Sequence, residues 1–229
     1  MNILLIATSV DKYPKSQIPT GLWLSELTHF YEVAEQANCN ISIASPKGGE
    51  IPIDPESLKP MMMDKLTRNY WKNPDFRKKL NQAQSLQEVA NQSFEIVYLA
   101  GGHGAVFDFL ENRLLEDIIV KHWEENKKVA EICHGVGGLL NVKLANGTFL
   151  IKGKKLTGFN WFEELIARRR KLVPFNLEEA LKKRGTLYEK ALIPMTSKVV
   201  VDGNLITGQN PFSSKEMANV LKNELKFNL

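Results

Sequence analysis

"KKVAEICHGVGGLL", residues 127–140, sets a short apolar run, Val129 to Ile132, directly against Cys133 and His134, and follows them with Gly135, Gly137 and Gly138. A short apolar run closed by turn formers reads as a strand buried on both faces, the mark of a parallel sheet. Small residues after it allow a sharp strand-to-helix turn, which aims the side chain at its apex into the site. In an open α/β sheet that place, the carboxyl end of a strand, is where ligands bind. The helix expected to start at "GLLNVKL" would add a positive N-terminus that favours thiolate over thiol. Cys133 therefore reads as a candidate activated nucleophile. A buried structural thiol is the commoner fate of a free cysteine, so the surrounding residues must decide.

Three further runs repeat the strand pattern: "NILLIAT" (2–8), "NISIASP" (40–46) and "FEIVYLAGG" (94–102). Between the first two, Leu24, Leu27, Tyr31, Val33 and Ala34 recur at near-helical spacing; before the fourth, Leu115, Ile118, Ile119 and Trp123 do the same. Strand–helix alternation predicts a doubly wound, mostly parallel α/β sheet with helices on both faces and right-handed crossovers. The segment at about 52–92, with "MMMDKLTRNYWKNPDFRKKL", breaks the rhythm and reads as a helical insertion or lid within one domain of residues 1–229. Past residue 153 the order is a strand at "KKLTGF", helices over 161–170 and 176–184, a hairpin turning on Asp202-Gly203, and a last helix over 213–225. An Asp-Gly pair between β-branched runs is a strong hairpin signal.

The net charge of +4 is small, and the densest basic clusters, "FRKKLNQ" and "ARRRKLV", suit solvated helix faces; no nucleic-acid partner is expected. No apolar run approaches the ~20 residues that span a bilayer, so no membrane partner is expected either. The N-terminus turns polar within ten positions and has no basic leader region, which reads as a first strand rather than a signal peptide. Two cysteines, Cys39 and Cys133, in unrelated contexts imply no disulfide framework, and a reduced, cytoplasmic setting is the expectation. Cys39 enters a strand with no basic neighbour and reads as structural.

Other residues gather around the thiol. "AGGHG" (100–104) ends the preceding strand, where backbone N–H groups can face an oxyanion. Glu26 lies inside an apolar helix close to the first strand, and "LTGFNWFEEL" carries Glu163 and Glu164 just past another strand end. His29 and His103 are candidate pocket-wall residues, while His122 reads as helix surface. No H-x-H, C-x-x-C or H-E-x-x-H spacing occurs, so neither a metal nor a cofactor is expected.

With these residues in hand, the chain resembles the ThiJ/PfpI superfamily, and within it the heat-shock-protein-31-like, glyoxalase III-type branch. "EICHGVGGLL", "LAGGHGAVFDF", "TGLWLSEL", "ASPKGGEIPIDPESL" and "LITGQNPFSS" carry the resemblance, in order from about residue 2 to 220. It departs at Val136-Gly137, where Pro-Ala is common, and at Ala100, where proline is usual. The resemblance implies the flavodoxin-like fold of class I glutamine amidotransferases, with a nucleophile elbow at Cys133. It makes His134 the partner base, Glu26 the buried carboxyl that touches the thiol, and Glu164 (or the adjacent Glu163) the acid that orients the histidine. Gly102, His103 and Gly135 then belong to the oxyanion and substrate-binding surface, and a homodimer is implied.

An amidotransferase also needs a histidine downstream of the cysteine on a later strand, and none follows His134. The resemblance implies instead a glyoxalase III-type lyase (D-lactate dehydratase), taking a small 2-oxoaldehyde such as methylglyoxal to lactate without glutathione. Two other classes stay open: a holdase chaperone or redox-sensing stress protein, for which the Met-rich 61–71 stretch could supply an adaptable apolar surface, and a cysteine peptidase or protein deglycase.

Overall fold

In the computed structural model, which describes residues 1–226, strand β1 (Asn2–Ile6) sits between β2 (Asn40–Ser45) and β4 (Ile96–Leu99), parallel to both. β5 (Lys128–Ile132) pairs in parallel with β4, and β9 (Leu205–Gly208) with β5. The edges are a two-residue β3 (Gln84–Ser85), parallel to β2, and β8 (Val199–Asp202), antiparallel to β9 through the hairpin at Gly203. The order is β3-β2-β1-β4-β5-β9-β8, the doubly wound arrangement expected. The winding reverses between β1 and β4, and the crevice at such a reversal is the usual ligand site of these sheets.

Alternate residues of the strands feed two cores. Ile3, Leu5, Tyr98, Ala130, Ile132 and Ile206 pack beneath α1 (Leu24–Gln36) and α9 (Ser214–Lys226). Leu4, Ile6, Val97, Leu99 and Val129 pack beneath α6 (Arg113–Glu124) and α8 (Leu177–Lys183). Burial on both faces is why these strands read as nearly unbroken apolar runs. Each fully buried Leu or Ile contributes about 1.5–3 kcal/mol of transfer free energy.

Within 52–92 the chain forms α2 (Lys65–Lys72), α3 (Pro74–Asn81) and α4 (Leu86–Val89). Asp64 caps α2 by accepting the Thr67 N–H at 2.8 Å, and Asn73 caps α3, with Pro74 in the first turn. Tyr31 of α1 packs edge-on against Tyr70 and Phe76, which fixes α2 and α3 on that helix, while β3 lengthens the sheet edge. No helix among the described residues is long and apolar enough to cross a membrane.

Four expectations are corrected. The "GLLNVKL" helix does not form: residues Cys133–Leu139 make a 3-10 helix that ends at Leu140, and turns follow. The helix expected over 161–170 is shorter, α7 (Trp161–Ile166), because Arg168 takes a φ of +58° that an α-helix cannot continue through. "KKLTGF" supplies only a two-residue β6 (Lys155–Leu156), paired outside the main sheet with β7 (Leu187–Tyr188). His122 is not surface. It is fully buried, donating from Nδ1 to the Ile118 carbonyl and accepting the Phe94 N–H at Nε2, and so ties α6 to the start of β4.

Candidate active site

Cys133 follows β5 immediately and holds a φ of +59°, a left-handed conformation that a residue with a side chain rarely adopts. Strain of this kind costs roughly 1–3 kcal/mol and persists where the surroundings over-determine it. Here close backbone packing does so. A Cβ on Gly135 would lie 2.5 Å from the Leu99 carbonyl oxygen, so only glycine lets the elbow press against the end of β4. Gly102, at φ +107°, is equally constrained, since a Cβ there would lie 2.1 Å from the Gly21 carbonyl oxygen. The thiol thus stands at the β1/β4/β5 carboxyl ends, beside the topological switch.

The structure brings the sequence-predicted residues together. Cys133 Sγ lies 3.3 Å from His134 Nδ1, and His134 Nε2 donates to Glu164 Oε1 at 2.7 Å. Glu164 is placed by α7, whose capping box pairs Asn160 with Glu163. Glu163 faces the other way: its Oε1 accepts from Met195 N, Gln209 Nε2 and Asn210 Nδ2, anchoring α7. Of the two adjacent acids, Glu164 contacts the histidine. His103 stands closer than a pocket wall would, with its Nε2 3.2 Å from Glu164 Oε2 and its ring 4.1 Å from that of His134.

Glu26 is fully buried in the first turn of α1. Its Oε2 accepts the Gly101 N–H at 2.9 Å, while its Oε1 has no hydrogen-bond partner among the described residues and the carboxyl stands beside the Cys133 thiol. Burial pushes the Glu26 pKa up to about 8, so at neutral pH it keeps its proton. Burial pushes the Cys133 thiol well above its ordinary range, and Glu26 adds to this once it ionises; the backbone N–H of His134 works in the opposite sense. This corrects the expectation of a thiol acidified by a helix N-terminus, because the short 3-10 turn supplies no macrodipole to offset desolvation. Burial and the neighbouring His103 push His134 down to about 4, so its imidazole is neutral and can accept a proton. Glu164 stays ionised, held below the usual carboxylate range by the two histidines despite its burial.

Among the described residues no hydrogen bond occupies the Gly102 backbone N–H, which leaves a donor at the end of β4 for a developing oxyanion. Gly135 serves the close packing of the elbow. No sequence signal points to Tyr13, which folds back through the Lys12–Pro19 bridge to set its ring 5.8 Å from that of His103. His29 lies elsewhere, with Nδ1 2.9 Å from the Ser25 carbonyl oxygen and Nε2 2.9 Å from Asp64 Oδ2, in a cleft of about 260 Å³ that Cys133, His134 and Glu164 do not line. Cys39 is half-buried, and burial raises its pKa.

The DJ-1/PfpI family profile matches residues 18–224. The glutathione-independent glyoxalase hsp3101 of Schizosaccharomyces pombe is 29% identical, over 94% of this chain and 92% of its own. Among solved structures, the Rapid Encystment Protein REP24 of Francisella tularensis superposes with a TM-score of 0.92 at 38% identity, covering 98% of both chains. Glyoxalase III of Candida albicans superposes with a TM-score of 0.85 at 26% identity, covering 96% of this chain and 95% of its own. By the extent of these matches, the chain belongs to the DJ-1/PfpI family.

Proposed function

We propose that the protein is a glutathione-independent glyoxalase of the glyoxalase III type, a lyase that converts methylglyoxal to D-lactate. The observation that carries this reading is the buried relay from Cys133 through His134 to Glu164, with Glu26 against the thiol, in a chain whose matched relatives include named glyoxalases. Cys133 is only 2% exposed, which suits a substrate of very few heavy atoms better than a polypeptide.

The Cys133 sulfur adds to the aldehyde carbon while its proton passes to the neutral His134, and Glu164 stabilises the resulting imidazolium. The protonated Glu26 and the Gly102 N–H supply donors for the sulfur and the new alkoxide. The alkoxide takes up a proton to give the hemithioacetal. His134 then removes the hydrogen from C1 and returns a proton at C2, through an enediol, leaving a lactoyl thioester. Water cleaves the thioester to lactate and restores the thiol. C1 is oxidised and C2 reduced within one molecule, so no external electron carrier takes part, and the protein's own thiol stands in for glutathione.

The same reading includes a cytoplasmic homodimer. Phe162, Leu165 and Ile166 of α7, between 47% and 51% exposed, support an interface there. The test of the activity is lactate formation from methylglyoxal with no glutathione added. Wild-type protein should produce it and Cys133→Ala should not; equal production by both would reject the assignment.

A further inference from the structure

Glu164 is held from two sides, by His134 Nε2 at 2.7 Å and by His103 Nε2 at 3.2 Å. One ligand-capable atom from each of the three side chains lies within 4.8 Å of the others, and all three are buried. They come from three separate segments: the loop after β4, the elbow after β5, and α7. Two imidazole nitrogens and a carboxylate are the donor set of three-ligand zinc centres, whereas magnesium and calcium prefer oxygen alone. With bonds of about 2.0–2.2 Å at tetrahedral angles, ligand atoms sit roughly 3.3 Å apart. His103 meets Glu164 Oε2 and His134 meets Oε1, so one ion on a single carboxylate oxygen needs a shift of the carboxylate, and the three ligand atoms, within 4.8 Å of one another, must close toward that spacing.

We propose that His103, His134 and Glu164 form a reversible site for one divalent transition-metal ion, such as zinc or cobalt, and that the bound ion silences the thiol. In the metal-free protein both imidazoles present Nε2 to the Glu164 carboxylate. Binding occupies the Nε2 lone pair with the ion, so the ring proton of His134 sits on Nδ1. His134 Nδ1, 3.3 Å from Cys133 Sγ, then carries a proton and cannot accept the one on the thiol. The sulfur faces the opposite edge of the ring from the ion and stays outside the ligand set. The silencing, unlike the site itself, rests on the proposed function.

The site is tested on the full chain carrying Cys39→Ser and Cys133→Ser, which removes every thiol. Cobalt(II) titration should give one ion per chain and visible d–d bands without a sulfur charge-transfer band. His103→Asn in that background should weaken binding at least ~10–100-fold, the scale on which even an outer-shell partner acts. Should His103→Asn fail to fold by circular dichroism, anomalous scattering from zinc-soaked wild-type crystals decides. A peak between His103 Nε2, His134 Nε2 and Glu164 supports the site. No binding at millimolar cobalt, an affinity unaffected by His103→Asn, or a peak on the Cys133 sulfur or elsewhere overturns it. Zinc inhibition of lactate formation, reversed by chelator, is the matching result for activity. Metal binding by a protein that makes no lactate would reject the proposed function and leave the site standing.

Discussion

Glu26 and Cys133 share a buried space in which burial disfavours ionising either group, and a second charge beside the first disfavours it further. Glu26 stays protonated up to about pH 8, and in the proposed mechanism that proton is the donor to the thiolate formed during attack. At pH 7, where Glu26 is protonated, removing that donor by Glu26→Leu should cut the thiolate fraction at Cys133 roughly 10–100-fold, since a hydrogen bond to a charged group is worth roughly 1.5–3 kcal/mol. The rate of iodoacetamide labelling at Cys133 at pH 7 reads the change, and faster labelling of the leucine variant would mean that Glu26 is ionised beside the thiol. His134 and Glu26 set the pH profile. His134 must be neutral to act as base, so kcat/KM should fall as pH drops through about 4. On the alkaline side it should fall as Glu26 loses its proton near 8. Glu26→Gln keeps a donor that cannot ionise, so that variant should lose the alkaline limb and keep the acid one.

At the scale of elements, β5 carries a feature the mechanism does not use. Glu131 is fully buried, and neither of its carboxyl oxygens has a hydrogen-bond partner among the described residues. Burial raises its pKa well above the ordinary value, so the folded protein binds this proton over a range where the unfolded chain has released it. Stability should therefore fall as pH rises from the unfolded value, near 4.5, toward the folded one. Glu131→Gln removes that dependence. Its melting temperature relative to wild type should climb between pH 4 and pH 7, and a difference that stays flat with pH would contradict the account.

The same strand illustrates what could be read from sequence. "KVAEI" announced β5 in spite of Glu131, because its flanking residues and turn formers match a buried parallel strand. The elbow was legible for the same reason, whereas the parts assigned to Glu26 and the acid pair came from the family resemblance, each being a weak signal alone. Long-range partners were not. Nothing near His122 in the sequence signals that Phe94 would supply an N–H to it, and nothing near His103 signals that it would share Glu164 with His134. The choice between Glu163 and Glu164 depended on Met195, Gln209 and Asn210, which only the fold brings to the first of them. The helix expected at "GLLNVKL" had apolar periodicity but was overridden by tight packing of the elbow on Leu99 and by the turns after Leu140.

For the whole molecule, the doubly wound sheet places the ends of β4 and β5 side by side, so a loop donor and an elbow thiol from distant stretches of sequence meet at one point. α7 links that point to the surface: Glu164 faces inward, while Phe162, Leu165 and Ile166 face solvent. If the homodimer forms through this face, Ile166→Asp should convert it to monomer in light scattering coupled to size exclusion; a wild-type monomer at the same concentration would remove the basis for the interface. The central claim is that the reaction passes through a covalent adduct on Cys133. Glu164→Gln weakens the stabilisation of the His134 imidazolium and should slow turnover enough for the adduct to accumulate. Rapid acid quenching of that variant with methylglyoxal, followed by peptide mass mapping, measures it directly. The account predicts a mass increase of one methylglyoxal on the Cys133 peptide that decays as lactate appears. Lactate formation with no modification of Cys133, or with adducts on lysine and arginine only, would contradict it.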